Sequence, residues 1–421
     1  VNTLNPNIGF AALQLDVVTR HQALASAAGK PLVAGVNSFG FGGANAHVLL
    51  QEHLAAPQPA HAEASQAAPP LFLSARTDAA LRAMAGRYAQ LLEATPAEGF
   101  YDIAHAAAHR RERMEKRLSV QTGSLVGTAQ ALAQFAQGAS AARVVTETAL
   151  PAAGSIAFVY SGNGAQWAGM GRALLADSAR FADILAVLDA SLYPYAGFSV
   201  VDELRDGNAA RLEDTTVAQP LLFAMQVALT LWLREQGVVP AAVAGHSVGE
   251  VAAAWAAGAL DLDQAVRVIC ARSAAQGLTR GTGRMAAVAM SAADTQSVLR
   301  ELAVDVEIAG INSPSHVTIS GSPSDLDRVR QHLEVRRVFF RQLDLDYAFH
   351  SRQMDSIESR LARSLAGLTP AAPGGVTFVS TVTGDVVDDA GLDAHYWWCN
   401  VRQPVRMADA MSRLIGLGCR V

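Results

Sequence analysis

Short apolar runs alternate with stretches of helical periodicity in the part of the chain that follows residue 150. The runs SIAFVY, MAAVAM, VEIAGIN and HVTISG predict strands, and the segments near 179–190, 218–236 and 323–333 predict helices. Strands that alternate with helices favour an α/β fold with a mostly parallel sheet covered on both faces. The order β-α-β-β-α-β over about 284–345 predicts a small ferredoxin-like insert in that fold.

The first 150 residues follow a different pattern. Two β-type runs flank the glycine-rich turn at Gly40–Gly43, and residues 54–70 are rich in Ala and Pro without periodicity, as in a linker. The run LFLSA then predicts a strand, and a helical pattern follows over Thr77–Glu93. We therefore expect a small α/β unit here and three parts in all, at 1–53, 54–150 and 151–421.

Composition and charge narrow the functional classes. The chain has 421 residues, of which 51% are hydrophobic, and its net charge of −5 gives no overall footprint for nucleic acid. No window of about 18 uninterrupted apolar residues is present, so we expect no membrane span and a cytoplasmic location. The three cysteines, Cys270, Cys399 and Cys419, are too few and too scattered for a disulfide framework or a zinc site.

The strongest chemical signal is the run GHSVGE at residues 245–250, which follows an apolar run and precedes an Ala-rich helical segment. Gly-x-Ser-x-Gly in that setting is typical of a nucleophile elbow, which places a serine on a tight turn between strand and helix. Ser247 is therefore the candidate nucleophile for acyl transfer or hydrolysis. An ordinary helix cap is the alternative interpretation of this serine.

Three further positions are candidates for the same chemistry. His350, 103 residues after Ser247 in DYAFHSRQM, has the pKa range of a general base, although a loop histidine is the plainer interpretation. The turn Gly162–Gln166 follows a strand and could offer a backbone N–H to an oxyanion. Arg272, on a predicted helix, would form a surface ion pair, or would bind a carboxylate if it were buried.

Seven segments agree in order and spacing with one enzyme family: SGNGAQWAGMG, GHSVGE, ARSAA, INSPSHVTISG, YAFHSRQM, FVSTVTG and YWWCNVRQPVR. Residues 154–421 resemble the malonyl-CoA:carrier-protein acyltransferases, in particular the acyltransferase domains of modular type I polyketide synthases. Upstream, NSFGFGGANAHVLL resembles the C-terminal end of a ketosynthase, and AHRRERMEKRLSV resembles the ketosynthase–acyltransferase linker domain.

The resemblance implies an α/β-hydrolase-like core and a serine mechanism without a metal or a bound cofactor. Ser247 would attack the thioester of an α-carboxyacyl-CoA with His350 as base, and the backbone N–H groups of Val248 and Gln166 would hold the oxyanion. Arg272 would pair with the free carboxylate of the acyl group. The phosphopantetheine thiol of an acyl carrier protein would then take the acyl group from the serine.

The resemblance also bears on the extender unit. In relatives, the four residues that end at the catalytic histidine tend to be HAFH where malonyl is selected and YASH where methylmalonyl is selected. Here they are Tyr347-Ala348-Phe349-His350, a hybrid of the two. The residue after the serine also correlates with the extender unit, and in this chain it is Val248. Phe349 would fill the space that an α-methyl group needs, so we expect malonyl, with methylmalonyl as the alternative. A hydrolase and an inactive structural or docking fragment of a synthase are the competing functions.

The expected partners are the acyl carrier protein, the ketosynthase and other domains of the same synthase, and a second copy in a homodimeric module. The chain starts at Val1 and ends in GLGCRV, so we expect a piece of a longer protein in which the acyltransferase is truncated. The resemblance places the backbone carbonyl that orients the catalytic histidine in the segment after Val421. We interpret the basic run His109–Arg117 as a solvated helix face, with carrier docking as the alternative.

Overall fold

The computed structural model describes residues 3–21, 23, 30–53, 68–96, 99–141, 143–150 and 154–420. The chain divides into two compact units, Val1–Leu150 and Pro151–Val421, each of which is described by itself. Most of the predicted linker, residues 54–67, lies outside the described residues.

The first unit contains an antiparallel hairpin of β1 (Val33–Phe39) and β2 (Asn45–Gln51). The predicted glycine-rich turn joins the two strands. The N–H of Gly43 donates to the carbonyl of Gly40 at 3.0 Å, and Gly43 has a φ of +88°, a conformation that glycine adopts without a steric cost.

An antiparallel sheet in the order β3-β4-β5 and packed helices complete the first unit. Its elements in chain order are β3 (Leu71–Ala75), α1 (Asp78–Glu93), α2 (Phe100–His109), β4 (Lys116–Val120), α3 (Leu125–Ala136) and β5 (Val144–Thr148). Alternate residues of β3 and β4, such as Leu71, Leu73 and Leu118, are buried against α1 and α3, which is the period-two pattern of a sheet with one covered face.

The interpretation of His109–Arg117 as a helix face is wrong. Helix α2 ends at His109, the next residues form an irregular connection, and the run finishes inside β4. The reason lies in the alternation that follows, because Leu118 and Val120 have to point into the core from a central strand that pairs on both sides.

The second unit is built on a mixed sheet in the order β13-β12-β7-β6, in which β12, β7 and β6 are parallel. The elements up to the elbow are β6 (Ala157–Tyr160), α4 (Arg172–Asp177), α5 (Ala179–Ala196), α6 (Val200–Asp206), α7 (Thr215–Glu235), β7 (Ala242–Gly245), α8 (Gly249–Ala256) and α9 (Leu262–Gly277). This parallel core confirms the predicted α/β fold class.

The chain segment between α9 and β12 forms a separate antiparallel sheet in the order β11-β8-β10-β9. Its elements are β8 (Arg284–Val288), α10 (Ala292–Leu302), β9 (Val306–Ser313), β10 (His316–Gly321), α11 (Pro323–Val335) and β11 (Phe340–Gln342). The chain order and the strand order are those of a ferredoxin-like subdomain. The subdomain has its own hydrophobic core, which includes Val298, Ile319 and Leu326 and is distinct from the main hydrophobic core of the unit.

The chain then returns to the main body. The remaining elements are α12 (Glu358–Ser364), β12 (Thr377–Val379), β13 (Val386–Val387), α13 (Ala394–Arg402) and α14 (Met407–Gly416). Helix α7 is long and apolar enough to cross a membrane by length and composition, but 67% of its apolar window is buried inside the unit. A core helix has these same properties, and α7 packs between α5 and α9.

We predict that Gly249→Ala destabilises the second unit. A Cβ at this position would lie 2.5 Å from the carbonyl oxygen of Tyr160 and 2.6 Å from that of Ser161, so β6 and α8 would have to separate. Forced overpacking of this kind costs about 1–3 kcal/mol. Thermal unfolding followed by circular dichroism measures the loss. Gly374→Ala is the control, since a Cβ there meets nothing within 4 Å. Equal melting temperatures for the two variants would contradict the prediction.

Candidate active site

A strand–turn–helix elbow presents Ser247. Strand β7 ends at Gly245 and α8 begins at Gly249, so the serine lies on the turn between them with a φ of +54°. A non-glycine residue rarely adopts this left-handed conformation, and strain of this kind is characteristic of functional positions. A Cβ at Gly245 would lie 2.2 Å from the backbone nitrogen of Glu250, which explains why the turn needs a glycine there.

His350 contacts the serine directly. Its Nε2 lies 2.8 Å from Oγ of Ser247, and its Nδ1 lies 2.8 Å from the backbone carbonyl oxygen of Gln403. A carbonyl can only accept, so Nδ1 carries the proton and Nε2 is left with a lone pair toward the serine hydroxyl. The geometry is therefore that of a nucleophile, a neutral base and a group that orients the base.

The carbonyl of Gln403 corrects one expectation. The group that orients His350 lies inside the chain, not after Val421. The segment that carries it is held along β9, because the N–H of Val405 donates to Ala309 at 2.9 Å and the N–H of Ile311 donates to Val405 at 2.8 Å. Long-range pairing of this kind leaves no signal in the local sequence.

The base is neutral because of its surroundings. Burial, followed by the positive charge of Arg272, lowers the pKa of His350 to about 3. The imidazole therefore stays unprotonated through the whole physiological range, which is the state that a general base needs.

Arg272 is buried beside the nucleophile, with 1% of its surface exposed. Its Nη2 donates to Oγ of Ser247 at 2.9 Å, and its Nε donates to Oδ1 of Asn400 at 3.1 Å. Its Nη1 donates to the side-chain oxygens of Gln219 at 2.6 Å and Gln276 at 3.0 Å. The sequence left two interpretations of Arg272, a surface ion pair or a buried cation, and the structure shows that the side chain is buried. Burial lowers the pKa of its guanidinium to about 9.

Two buried polar residues to which the sequence motifs assign no role, Asn400 and Glu250, lie behind Arg272. The carboxylate of Glu250 is fully buried and lies within hydrogen-bond distance of Thr381, Tyr396 and Asn400. Burial raises the pKa of this carboxyl group. Glu250 ends the GHSVGE run and Asn400 lies in YWWCNVRQPVR, so both stood in recognised motifs without an assigned role.

The predicted oxyanion donors come from two turns: Val248 lies in the elbow itself, and Gln166 lies in the loop after β6, where the backbone of Gly162 packs closely against His246. No described residue accepts a hydrogen bond from the backbone N–H of Val248 or of Gln166, so both groups are available within the described part of the chain. The side chain of Gln166 fixes its own loop: its Oε1 accepts from the N–H of Gly164 at 2.8 Å, and its Nε2 donates to the carbonyl of Leu212 at 3.2 Å. Their role as oxyanion donors stays a prediction.

The two residues expected to select the extender unit are buried and stacked. The rings of Tyr347 and Phe349 lie 4.8 Å apart with an interplanar angle of 11°. The hydroxyl of Tyr347 accepts from the backbone N–H of Thr215 at 3.4 Å, so this ring is tied to the start of α7. Phe349 immediately precedes His350 in the chain, which places it beside the base.

Comparison with known proteins assigns the chain to a family. A sequence model described as "Acyl transferase domain" matches residues 157–421, and one described as "Ketoacyl-synthetase C-terminal extension" matches residues 5–118. The chain is 39% identical over 390 residues to erythronolide synthase EryA2 of Saccharopolyspora erythraea, covering 91% of this chain and 11% of that protein. It is 39% identical over 397 residues to spectinabilin polyketide synthase system protein NorA' of Streptomyces orinoci, and the match covers 93% of this chain and 11% of that protein. The chain thus spans about a tenth of the length of these curated relatives.

Solved structures give the same result. The acyltransferase domain from module 8 of the salinomycin polyketide synthase is 37% identical, with a TM-score of 0.78, and the match covers 83% of this chain and 82% of that one. The acyltransferase domain of SpnD, in complex with 2-(pent-4-yn-1-yl)malonyl, is 31% identical, with a TM-score of 0.72 and coverage of 83% and 82%.

We predict that the reactivity of Ser247 is independent of pH between about 5 and 8. Because the pKa of His350 is about 3, the imidazole stays neutral across this window. With the ordinary histidine pKa of about 6.5, only about one thirtieth of the imidazole would be neutral at pH 5, and the rate would fall by that factor. The rate of labelling by a fluorophosphonate probe measures this, with Ser247→Ala as the blank. A rate that falls with an apparent pKa near 6.5 would contradict the prediction.

Proposed function

The chain belongs to the acyl transferase domain family, and on that premise we propose that it loads an α-carboxyacyl extender unit, malonyl in preference to methylmalonyl, from coenzyme A onto Ser247. It then transfers the unit to the phosphopantetheine thiol of an acyl carrier protein. One observation carries this proposal: a buried guanidinium, Arg272, lies 2.9 Å from the candidate nucleophile. An enzyme for uncharged acyl groups has no use for such a cation.

In the first half-reaction, Oγ of Ser247 attacks the thioester carbonyl carbon while its proton moves to Nε2 of His350. The resulting oxyanion accepts hydrogen bonds from the N–H groups of Val248 and Gln166. The carbon–sulfur bond then breaks, His350 returns the proton to the sulfur of coenzyme A, and an acyl ester remains on Ser247.

In the second half-reaction, the carrier thiol gives its proton to His350, and its sulfur attacks the ester carbonyl. The carbon–oxygen bond to Ser247 breaks, and the serine oxygen recovers the proton from His350. The same base serves both halves, because it has returned its proton to the sulfur of coenzyme A before the carrier thiol arrives. The step needs no bound cofactor of the chain, since coenzyme A and phosphopantetheine arrive with the substrates.

Hydrogen-bond counting supports a carboxylate partner for Arg272. A guanidinium has five N–H donors, and four of them are used by the described contacts to Asn400, Gln219, Gln276 and Ser247. The remaining donor is on Nη2, the nitrogen that also contacts the nucleophile. A substrate carboxylate would therefore bind on the side of the guanidinium that faces the acyl group.

Malonyl is the extender unit that the stacked pair favours. Phe349 is buried, precedes the base and lies against the ring of Tyr347, and we infer that the two rings occupy the space that a substituent on the α-carbon would need. Both rings would have to move before a methyl group could enter, and a close-packed interior resists such movement.

The wider setting is also part of the proposal. The match to a ketoacyl-synthetase C-terminal extension at residues 5–118 supports a ketosynthase as the neighbouring domain. The relatives are polyketide synthases of which this chain spans about a tenth, which supports further domains of the same synthase as partners. We extend the proposal to an acyl carrier protein as acceptor, a homodimeric module and a cytoplasmic location.

We predict that intact-mass spectrometry detects one malonyl group on the protein after incubation with malonyl-CoA, and none on Ser247→Ala. Addition of a phosphopantetheinylated carrier protein then moves the group to the carrier. Release of free malonate at the same rate with or without the carrier would contradict the proposal and indicate a hydrolase instead. A wild-type protein that takes up no acyl group would contradict it as well.

A second prediction concerns the extender unit. Phe349→Ser should raise the loading of methylmalonyl relative to malonyl by about tenfold, because it removes a ring that a close-packed site cannot displace. Competition between the two CoA esters, read by the masses of the two adducts, gives the ratio. The control is Phe339→Ser, on an exposed ring, which should leave the ratio unchanged. Preferred methylmalonyl loading by the wild type would contradict the malonyl assignment.

A further inference from the structure

A buried polar chain runs from the core to the guanidinium beside Ser247. Asn400, on α13, accepts from Nε of Arg272 through Oδ1 at 3.1 Å. On the other side, its Nδ2 donates to the carbonyl of Ser247 at 3.2 Å and to Oε2 of Glu250 at 2.8 Å. Two acceptors on one side and a donor on the other fix the orientation of the Asn400 amide.

Glu250 is itself immobilised. It is fully buried, its Oε1 accepts from the backbone N–H of Thr381 at 3.0 Å, and the hydroxyl of Tyr396 donates to the same oxygen. Thr381 is held in turn, because its Oγ1 lies 2.8 Å from the carbonyl oxygen of Gly245 at the end of β7 and its own carbonyl accepts from the N–H of Arg406 at 2.7 Å. The position of Oε2, which faces Asn400, is therefore set by the main sheet of the unit.

We propose that Asn400 and Glu250 are positioning residues that hold Arg272 against Ser247 and thereby set the preference of this site for acyl groups with a free carboxylate. This inference rests on the proposed function. Neither side chain contacts Oγ of Ser247 or His350 in the described contacts. Asn400 holds Nε of Arg272 directly and also donates to the backbone carbonyl of Ser247, and Glu250 holds Asn400, so that Nη2 of the guanidinium is left to meet the substrate.

Glu250→Gln tests the chain of contacts without a change of size. The N–H of Thr381 still needs an acceptor, so the glutamine oxygen takes the place of Oε1 and its NH₂ takes the place of Oε2. That NH₂ then opposes the NH₂ of Asn400. To avoid the clash, the amide of Asn400 has to turn over, and it then presents a donor to Nε of Arg272.

Addition of Asn400→Asp to Glu250→Gln should reverse the defect. The aspartate accepts from the new NH₂ at position 250 on one side and from Nε of Arg272 on the other. The double variant also keeps the buried negative charge, moved from position 250 to position 400. The contact to the carbonyl of Ser247, at 3.2 Å in the wild type, becomes an approach of two acceptor oxygens, which is the cost that remains in the double variant.

The experiment measures kcat/KM for acylation of Ser247 by malonyl-CoA and by acetyl-CoA, with quenched samples analysed by intact-mass spectrometry. The readout is the ratio of the two values, which a merely structural defect would not move. Arg272→Ala gives the full loss of preference. Glu250→Gln should lower the ratio by about tenfold or more, and the double variant should recover it to within about threefold of the wild type.

Thr230→Val is the matched control for loss of a buried polar contact. Its hydroxyl lies 2.8 Å from that of Tyr160 in the same unit and has no described contact to Arg272, Asn400 or Glu250. We expect a lower melting temperature and an unchanged ratio for this variant. A ratio that falls in Thr230→Val as far as in Glu250→Gln would overturn the positioning role.

Asn400→Leu gives a second test if Glu250→Gln does not fold, because it removes the acceptor of Nε and leaves the carboxylate in place. It should lower the ratio by about tenfold. An unchanged ratio in the folded single variants, or a double variant no better than Glu250→Gln, overturns the inference. A wild type without preference for malonyl contradicts the proposed function itself, and this is seen before any variant is measured.

Discussion

The structure of the second unit depends on one constraint: a guanidinium is buried next to a serine hydroxyl, and each of its donors needs an acceptor. An unpartnered buried charge is too costly for a folded protein, so Arg272 on α9 dictates what its neighbours carry. Gln219 comes from α7, Gln276 from the next turn of α9 and Asn400 from α13. The hydrogen bonds of this one guanidinium therefore connect α7, α9 and α13, which are separate in the chain.

The same charge shapes the base. Burial lowers the pKa of His350, and the positive charge of Arg272 lowers it further, so the imidazole is neutral without any tuning by a carboxylate. A backbone carbonyl, that of Gln403, then suffices to fix the tautomer, since no imidazolium has to be stabilised in the resting enzyme. The cation that would bind the substrate carboxylate and the base that would activate the serine are therefore parts of one electrostatic arrangement.

The site joins the two sheets of the second unit. Ser247 stands at the end of β7 in the parallel sheet, and His350 follows β11 of the ferredoxin-like subdomain. The segment with Gln403 is held on β9 of that subdomain by Val405 and by Arg402, whose guanidinium lies 3.0 Å from Glu307. The nucleophile thus comes from the core, whereas the base and its orienting carbonyl depend on the subdomain, and the contact between Ser247 and His350 joins them.

Local patterns in the sequence determined the elements and the elbow. The alternation of apolar runs predicted the α/β fold and the subdomain at 284–345, and the glycines of GHSVGE predicted the turn, because backbone geometry and periodicity are local properties. The prediction of a helix face for the basic run at 109–117 was wrong because it rested on local charge alone. The end of this run belongs to β4, whose conformation is set by pairing with β3 and β5. Only the tertiary structure decided that Arg272 is buried, that Gln403 orients His350, and that Asn400 and Glu250 stand behind the guanidinium. Each of these contacts joins residues more than 20 positions apart, and burial and pairing over such distances arise only when the whole chain has packed.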